Sequence, residues 1–548
     1  MVLHVHGMDV AGVRFSMGPP ILKLSASIAQ WIERIRPKDK MYVRFILGVH
    51  KNMLKKIPSE VIKVLQKIEA AGYEAYIVGG CVRDLLRENH SASQPSDWDL
   101  TTNARPEEIL KLFPESFYEN SFGTVGVKVP KFIKNANLKE KREHDVIEVT
   151  TYRIESQYSD KRRPDEVKFA QTLADDLSRR DFTMNALALK IINDVQDFEI
   201  TDLFEGKKDI KNKIIRTVGN PDERFGEDAL RMMRAIRFHA ELGFEIEEKT
   251  FAAIKKNSQL IRHVSLERIK DEFSKIIMSQ NPAEGINMLQ QTNLLAIILP
   301  ELEKGVGVSQ NRHHSYSIYK HCVMSLAKCP SKKLEVRLAA LFHDIAKPQT
   351  KRGEGLYATF YNHDHLGSKI VKNILTRMRF SNEIIEKVSL LVDNHMFYYN
   401  PDEVSESSVR RLIKKVGMEN IKDLIDLRIA DRLGSGVPKA KPYKLRHLEY
   451  IIEKVSQDAV SVKMLKINGN NLMQELKIAP GPKIGAILDV LLAEVIEQAD
   501  KNERDFLFTR AKQLETENLS KLRSMAKEKI EEKKEEDDEE IKSRHWVK

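Results

Sequence analysis

Cysteine is scarce. Cys81, Cys322 and Cys329 are the only three in 548 residues, and their spacing fits neither a disulfide framework nor a metal knuckle, which points to a reducing compartment and makes the cytoplasm the expected location. Long apolar runs are missing as well. No stretch reaches the roughly eighteen residues of a membrane span, and the best N-terminal candidate for a signal core, Ile21 to Ile32, is broken by Lys23, Ser25 and Ser27. No membrane partner is expected. What the chain does have is length and charge. At 548 residues it exceeds a single core, and a hydrophobic content of 41% can fill several. Its 90 Lys and Arg against 80 Asp and Glu leave a net charge of +10, a basic excess that favours a nucleic-acid partner.

Residues 1–55 show no sustained periodicity and read as an extension of unknown role. Val61, Ile62, Val64, Leu65 and Ile68 then follow helical spacing up to Gly72. Next come Tyr76-Ile77-Val78, a β-type run, Gly79-Gly80, and Val82 to Arg87, the first turns of a helix. Glycines let backbone N–H groups approach a ligand closely, and a helix start favours anions, so the turn suits a triphosphate with Arg83 as an added donor. Asp97 and Asp99 lie two apart in an extended segment, so their carboxylates share a face. Such a pair repels unless a cation sits between, and Mg²⁺ takes carboxylate and phosphate oxygens together.

The sheet resumes at Phe122 to Val129 and at Asp145 to Thr151. Asp145 or Glu148 would supply a third carboxylate, and their opposite parity lets only one face the pair. Tyr152 to Lys168, dense in charge and turn formers, reads as a mobile surface loop. Arg179 and Arg180 beside Asp181 suit a phosphate-binding cation held by a carboxylate. From Arg224 to Phe238 a helix is expected to carry Asp228, Arg231, Arg234 and Arg237 as one polar stripe, in which an Asp and an Arg offer the acceptor edge and donor fork that a nucleobase edge requires.

Gly79-Gly-Cys-Val-Arg-Asp84, Asp97-Trp-Asp99, Arg179-Arg-Asp-Phe-Thr-Met-Asn-Ala186 and Glu227-Asp-Ala-Leu-Arg231, in this order, resemble the motifs of the class II tRNA nucleotidyltransferases, the CCA-adding enzymes related to poly(A) polymerases. The likeness runs from about Pro58 to Lys512. It implies an α+β chain: a small mixed-sheet head of the DNA polymerase β-like kind, followed by all-α neck, body, HD and tail regions. It also implies that Asp97 and Asp99 hold Mg²⁺ and are catalytic, and that Gly80, Arg83 and Arg180 bind the triphosphate. Asp228 and Arg231 would pair with the base of CTP or ATP, supported by Arg234 and Arg237, while the loop from about Tyr158 to Lys168 would govern addition of the final A. The implied partner is the 3′ end and acceptor arm of tRNA. Poly(A) polymerase or A-only addition is the alternative, and a metal phosphohydrolase acting on RNA ends the second.

His321, His343-Asp344, His365, His395 and Asp431 resemble the HD phosphohydrolase domain. The resemblance implies His321, His343, Asp344 and Asp431 as ligands to a divalent metal, with His365 and His395 extending the set to a second. The expected divisions are 1–55, extension; 56–192, head; 193–275, neck; 276–312, body; 313–437, HD domain; 438–515, a C-terminal part gripping tRNA through phosphate contacts; and 516–548, a charged tail expected as disorder or a solvated helix.

Overall fold

The computed structural model describes residues 53–87, 95, 97–120, 123–131, 144–156, 166–192, 197–311, 316–436, 439–457 and 465–547. Most of the 1–55 extension, the stretch between Arg87 and Asp97 apart from Pro95, and residues 157–165 of the charged loop lie outside them. Two compact units result. The first runs to Asp228 and takes back Glu245–Thr250; the second comprises Ala229–Phe244 and everything from Phe251.

In the first unit the helix Ser59–Ala70 buries Val61, Val64, Leu65 and Ile68, the side chains its periodicity picks out. Its strands are β1 (Ala75–Val78), β2 (Asp99–Thr102), β3 (Ser116–Asn120), β4 (Thr124–Pro130), β5 (His144–Thr151), β6 (Arg153–Ser156), β7 (Glu166–Phe169), β8 (Leu187–Ile192), β9 (Asp197–Asp202), β10 (Ile214–Ile215) and β11 (Glu245–Ile246). Seven of them form one sheet in the order β3-β4-β5-β2-β1-β8-β9. Every neighbouring pair is antiparallel except β2 with β5, which makes the sheet mixed. Ile77, Leu100, Ile147, Val149, Val125 and Val127 share one buried face.

The reading of Tyr152 to Lys168 as loop throughout is corrected at both ends: β6 and β7 pair antiparallel from Arg153 with Phe169 to Ser156 with Glu166. Glu166-Val-Lys-Phe alternates with period two, a strand signal that its charge obscures. The single helix expected from Arg224 to Phe238 is also two, Pro221–Glu227 and Leu230–Leu242. Asp228 between them is extended, with φ −141° and ψ 103°; Asp is a poor helix former, and the preceding Gly226 is poorer still.

The described part of the second unit is helical. Leu230–Leu242 packs on Leu266–Met278 and Pro282–Gln291. Further on, Ile318–Ala327 packs on Met418–Gly434 and on Leu334–Phe342, and Asn382–Asp393 on both Leu334–Phe342 and His363–Arg377. The first of these crossings is close enough to require a glycine: a Cβ on Gly434 would lie 2.1 Å from Ser325 Oγ and 2.7 Å from Ser325 N. Toward the C-terminus, Leu488, Leu491, Leu507, Leu514, Leu522 and Ala526 share one core. Disorder after residue 516 is therefore not what the chain shows. Leu519–Arg544 is a helix whose Asn518 cap accepts from Lys521 N. Leu522 and Ala526 anchor its start in that core, while Ile541 and Val547 bury against Tyr450 of the helix Tyr443–Gln457. No helix among the described residues is long and apolar enough to cross a membrane.

Candidate active site and metal centre

Strand β1 ends at Val78, and the chain turns through Gly79, whose φ of 81° is open to glycine and strained for other residues. A Cβ there would also stand 3.3 Å from Asp99 Oδ2 and 3.5 Å from Arg180 Nη1. The turn thus brings backbone, carboxylate and guanidinium to one spot. Asp97 is exposed just ahead of β2, and Asp99, half-buried, opens that strand. In the parallel pairing of β2 with β5, Glu148 stands directly beside Asp99, so the two side chains share a face. Of the two third-carboxylate candidates, Glu148 is the one placed next to Asp99. Oxygen donors grouped in this way suit a hard divalent cation.

Arg83 is buried and held on two sides. Its Nε and Nη2 donate to Asp84 at 3.0 and 2.9 Å, and its Nη1 to Asn185 Oδ1 at 3.0 Å. The carboxylate expected to hold Arg179 and Arg180 was Asp181, but Asp181 accepts instead from Phe182 N and Asn185 Nδ2. Asp176 does the holding, with Arg179 at 2.9 Å and Arg180 at 3.1 Å. Burial works to raise the Asp176 carboxyl, yet the two guanidiniums bring it below the usual carboxylate range.

Arg231, Arg234 and Arg237 occupy the helix Leu230–Leu242, and Asp228 does not, so the expected four-residue stripe is three arginines on a helix with Asp228 ahead of it. Arg231 and Arg237 are buried. Arg237 lies 3.2 Å from Glu272 and 4.3 Å from the centre of the Phe238 ring, an arrangement suited to bracing this helix.

In the second unit His321, His343 and Asp431 form one group of potential metal donors and Asp344, His363 and His395 another. His321 Nε2 lies 3.0 Å from His343 Nε2, 3.2 Å from Asp344 Oδ2 and 3.3 Å from Asp431 Oδ1. On the other side, Asp344 Oδ1 is 3.3 Å from His363 Nε2 and 3.7 Å from His395 Nε2. The Nδ1 atoms of His343, His363 and His395 each meet a main-chain carbonyl, of Ala340, Phe360 and Val392. A carbonyl only accepts, so each Nδ1 carries a proton and each Nε2 faces inward. His363 Nε2 and His395 Nε2 are buried without a hydrogen-bond partner, the condition a bound metal would relieve. Burial raises the Asp344 carboxyl, but His343, Lys347 and His321 together hold it well below the usual range. A cavity of about 600 Å³ opens onto the cluster, lined by Lys347, Phe360, Arg428 and Arg432 among others. His365 is not part of this cluster. It is largely exposed and pairs with Asp393 at 2.6 Å.

Comparison with known proteins bears on both sites. A family model described as the Poly A polymerase head domain matches residues 75–216, one described as the probable RNA and SrmB-binding site of polymerase A matches 243–305, and the HD domain matches 312–435. The CCA-adding enzyme of Ligilactobacillus salivarius (strain UCC118) is 33% identical over 480 residues, covering 84% of this chain and 98% of that relative. The chain belongs to the CCA-adding enzymes. The CCA-adding enzyme of Enterococcus faecalis (strain ATCC 700802 / V583) is 33% identical over 467 residues, 83% of this chain and 95% of its own. The crystal structure of the Bacillus stearothermophilus CCA-adding enzyme in complex with CTP superposes with a TM-score of 0.53 at 26% identity, covering 83% of this chain and 98% of that one.

Within this CCA-adding enzyme, four side chains of the two sites went unnamed in the sequence. Asp176 and Asn185 orient arginines, His363 replaces His365, and Lys347 lies 2.6 Å from Asp344. His363 had a signal. Along the helix His363–Arg377 the buried positions are His363, Gly367, Val371, Ile374 and Leu375, a three-to-four spacing that includes 363 and puts 365 on the opposite side.

Proposed function

We propose that the chain adds C, C and A in turn to the 3′ end of tRNA from CTP and ATP, with no nucleic-acid template. The observation that carries this reading is the convergence at Gly79, where Asp99 Oδ2 and Arg180 Nη1 come within 3.3 and 3.5 Å of one point. Asp97 and Asp99 would hold the metal, with Glu148 alongside. Mg²⁺ there would make the tRNA 3′-hydroxyl a better nucleophile and carry charge on the departing pyrophosphate. Arg180, Arg83 and the amides of the Gly79-Gly80 turn orient the triphosphate so that the 3′-oxygen meets the α-phosphorus in line with the bond that breaks. Asp228 and Arg231 present the acceptors and donors that read the base edge. Arg234 and Arg237 support the nucleotide; for Arg237, the ion pair with Glu272 favours bracing over contact.

Sequencing the products made on tRNA lacking its last three nucleotides tests the reading. With CTP and ATP together the expected product ends in CCA; long tails from ATP alone would mean a poly(A) polymerase. Asp228→Ala is expected to reduce the preference for CTP and ATP over UTP and GTP by about ten- to a hundredfold, on the order of 1–3 kcal/mol for an edge-reading pair. Steady-state competition between nucleotides measures it, and an unchanged preference removes Asp228 from base reading.

A second reading is favoured by a separate observation, the inward-facing imidazoles and the partnerless buried Nε2 atoms of His363 and His395 beside Asp344. On this reading the HD region holds one or two divalent metals on His321, His343, Asp431, Asp344, His363 and His395 and hydrolyses phosphoesters at RNA ends. The metal would supply an activated water, and Arg428 and Arg432 line the cavity where a phosphate would lie.

A further inference from the structure

Arg179 and Arg180 are adjacent in sequence, and their like charges repel unless an anion lies between them. Asp176, with no exposed surface, provides it. Its Oδ1 accepts from Arg179 Nε at 3.0 Å and Nη2 at 2.9 Å, and its Oδ2 accepts from Arg180 Nη2 at 3.1 Å. Thr101 Oγ1, 3.3 Å from the same Oδ2, belongs to β2 two residues beyond Asp99 and on the same face. Thr101 Oγ1 also lies 3.2 Å from Thr150 O, so its one proton is shared between that carbonyl and Asp176, and the carboxylate sits against the strand that carries Asp99. Arg180 Nε is buried with no hydrogen-bond partner. The direction of its guanidinium accordingly depends on Nη2 at Asp176, which leaves Nη1 toward Gly79 and Asp99.

We propose that Asp176 is a positioning residue for nucleotide addition: it fixes Arg179 as a structural clamp and turns Arg180 to face the triphosphate. This rests on the reading of Arg180 as a triphosphate ligand. The carboxylate acts through Arg180 and touches no substrate.

A double-mutant cycle on the full chain, read as KM and kcat for CTP and KM for tRNA lacking CCA, tests it. Arg180→Ala and Asp176→Asn are each expected to raise KM for CTP about ten- to a hundredfold, the effect of a charge-assisted hydrogen bond, with KM for tRNA within about twofold. In the Arg180→Ala background, Asp176→Asn should add less than about twofold. Factors that multiply instead overturn the proposal, and so does an equal rise in KM for tRNA, which a loosened fold would produce. If Arg180→Ala leaves KM for CTP unchanged, the triphosphate reading of Arg180 itself falls. Should Asp176→Asn melt early, Thr101→Val carries the same test: a rise in KM for CTP of about two- to fivefold at unaltered melting temperature is expected, and no rise at unaltered melting temperature overturns the proposal.

Discussion

Asp99→Ala is expected to slow nucleotide addition by a factor of about a thousand or more, with the fold intact. Several kilocalories per mole of transition-state charge stabilisation depend on a metal held at this carboxylate, and each 1.36 kcal/mol is tenfold in rate. Asp99 is half-buried at the start of β2, so its loss leaves no large cavity, and circular dichroism and melting temperature should change little. Single-turnover incorporation of labelled CTP into tRNA lacking CCA gives the number. Asp97→Ala should behave alike, and the double variant little worse than either, because two ligands of one ion act as a unit. Survival of the principal activity in the double variant would transfer that activity to the HD region. Glu148→Ala provides a graded control: as the neighbour of Asp99 in register it should cost less than Asp99 does.

The second large effect concerns the middle cluster and separates two histidines that lie two residues apart. His363→Ala and Asp344→Ala are each expected to weaken metal binding by at least about a hundredfold, beyond the ten- to hundredfold typical of losing only an outer-shell partner. His365→Ala should leave binding unchanged, since His365 is exposed and paired with Asp393. Metal content after dialysis, measured by plasma emission, distinguishes them. Asp344→Ala should also lower stability by roughly 3–5 kcal/mol, because it strips the anion from buried His321, His343 and Lys347. Equal metal content in wild type, His363→Ala and Asp344→Ala would make the region a structural helical module. Loss on His365→Ala alone would restore the assignment that sequence spacing suggested.

These two residues also show what kind of information the sequence carries. Strand, turn and helix from Tyr76 to Arg87 were legible because each is written locally: β-type residues, two glycines, then helical spacing. Asp97 and Asp99 were legible because alternation along a strand is local too. Choosing between Asp145 and Glu148 needed the pairing of β2 with β5, a contact between segments nearly fifty residues apart. Adjacency in sequence favours Asp181 as the arginine holder; the helix Leu173–Ser178 instead presents Asp176 three and four residues earlier, the spacing at which helical neighbours meet. The apolar pattern around Asp228 continues as in a helix, although the chain is extended there. The errors share a cause: pattern fixes which face a residue belongs to, and only tertiary contact says what lies opposite.

The last helix, Leu519–Arg544, has a consequence for how the chain comes off the ribosome. Its early turn completes a core with Leu488, Leu491 and Leu507, and its end, with Val547, covers Tyr450. Both apolar surfaces are made well before the segment that buries them, and at about 5–20 residues per second the wait lasts some seconds. During nascent-chain growth the stretch from Tyr443 to Glu515 therefore keeps apolar surface exposed for longer than the sheet carrying Asp99, which has had its full complement of strands since residue 202.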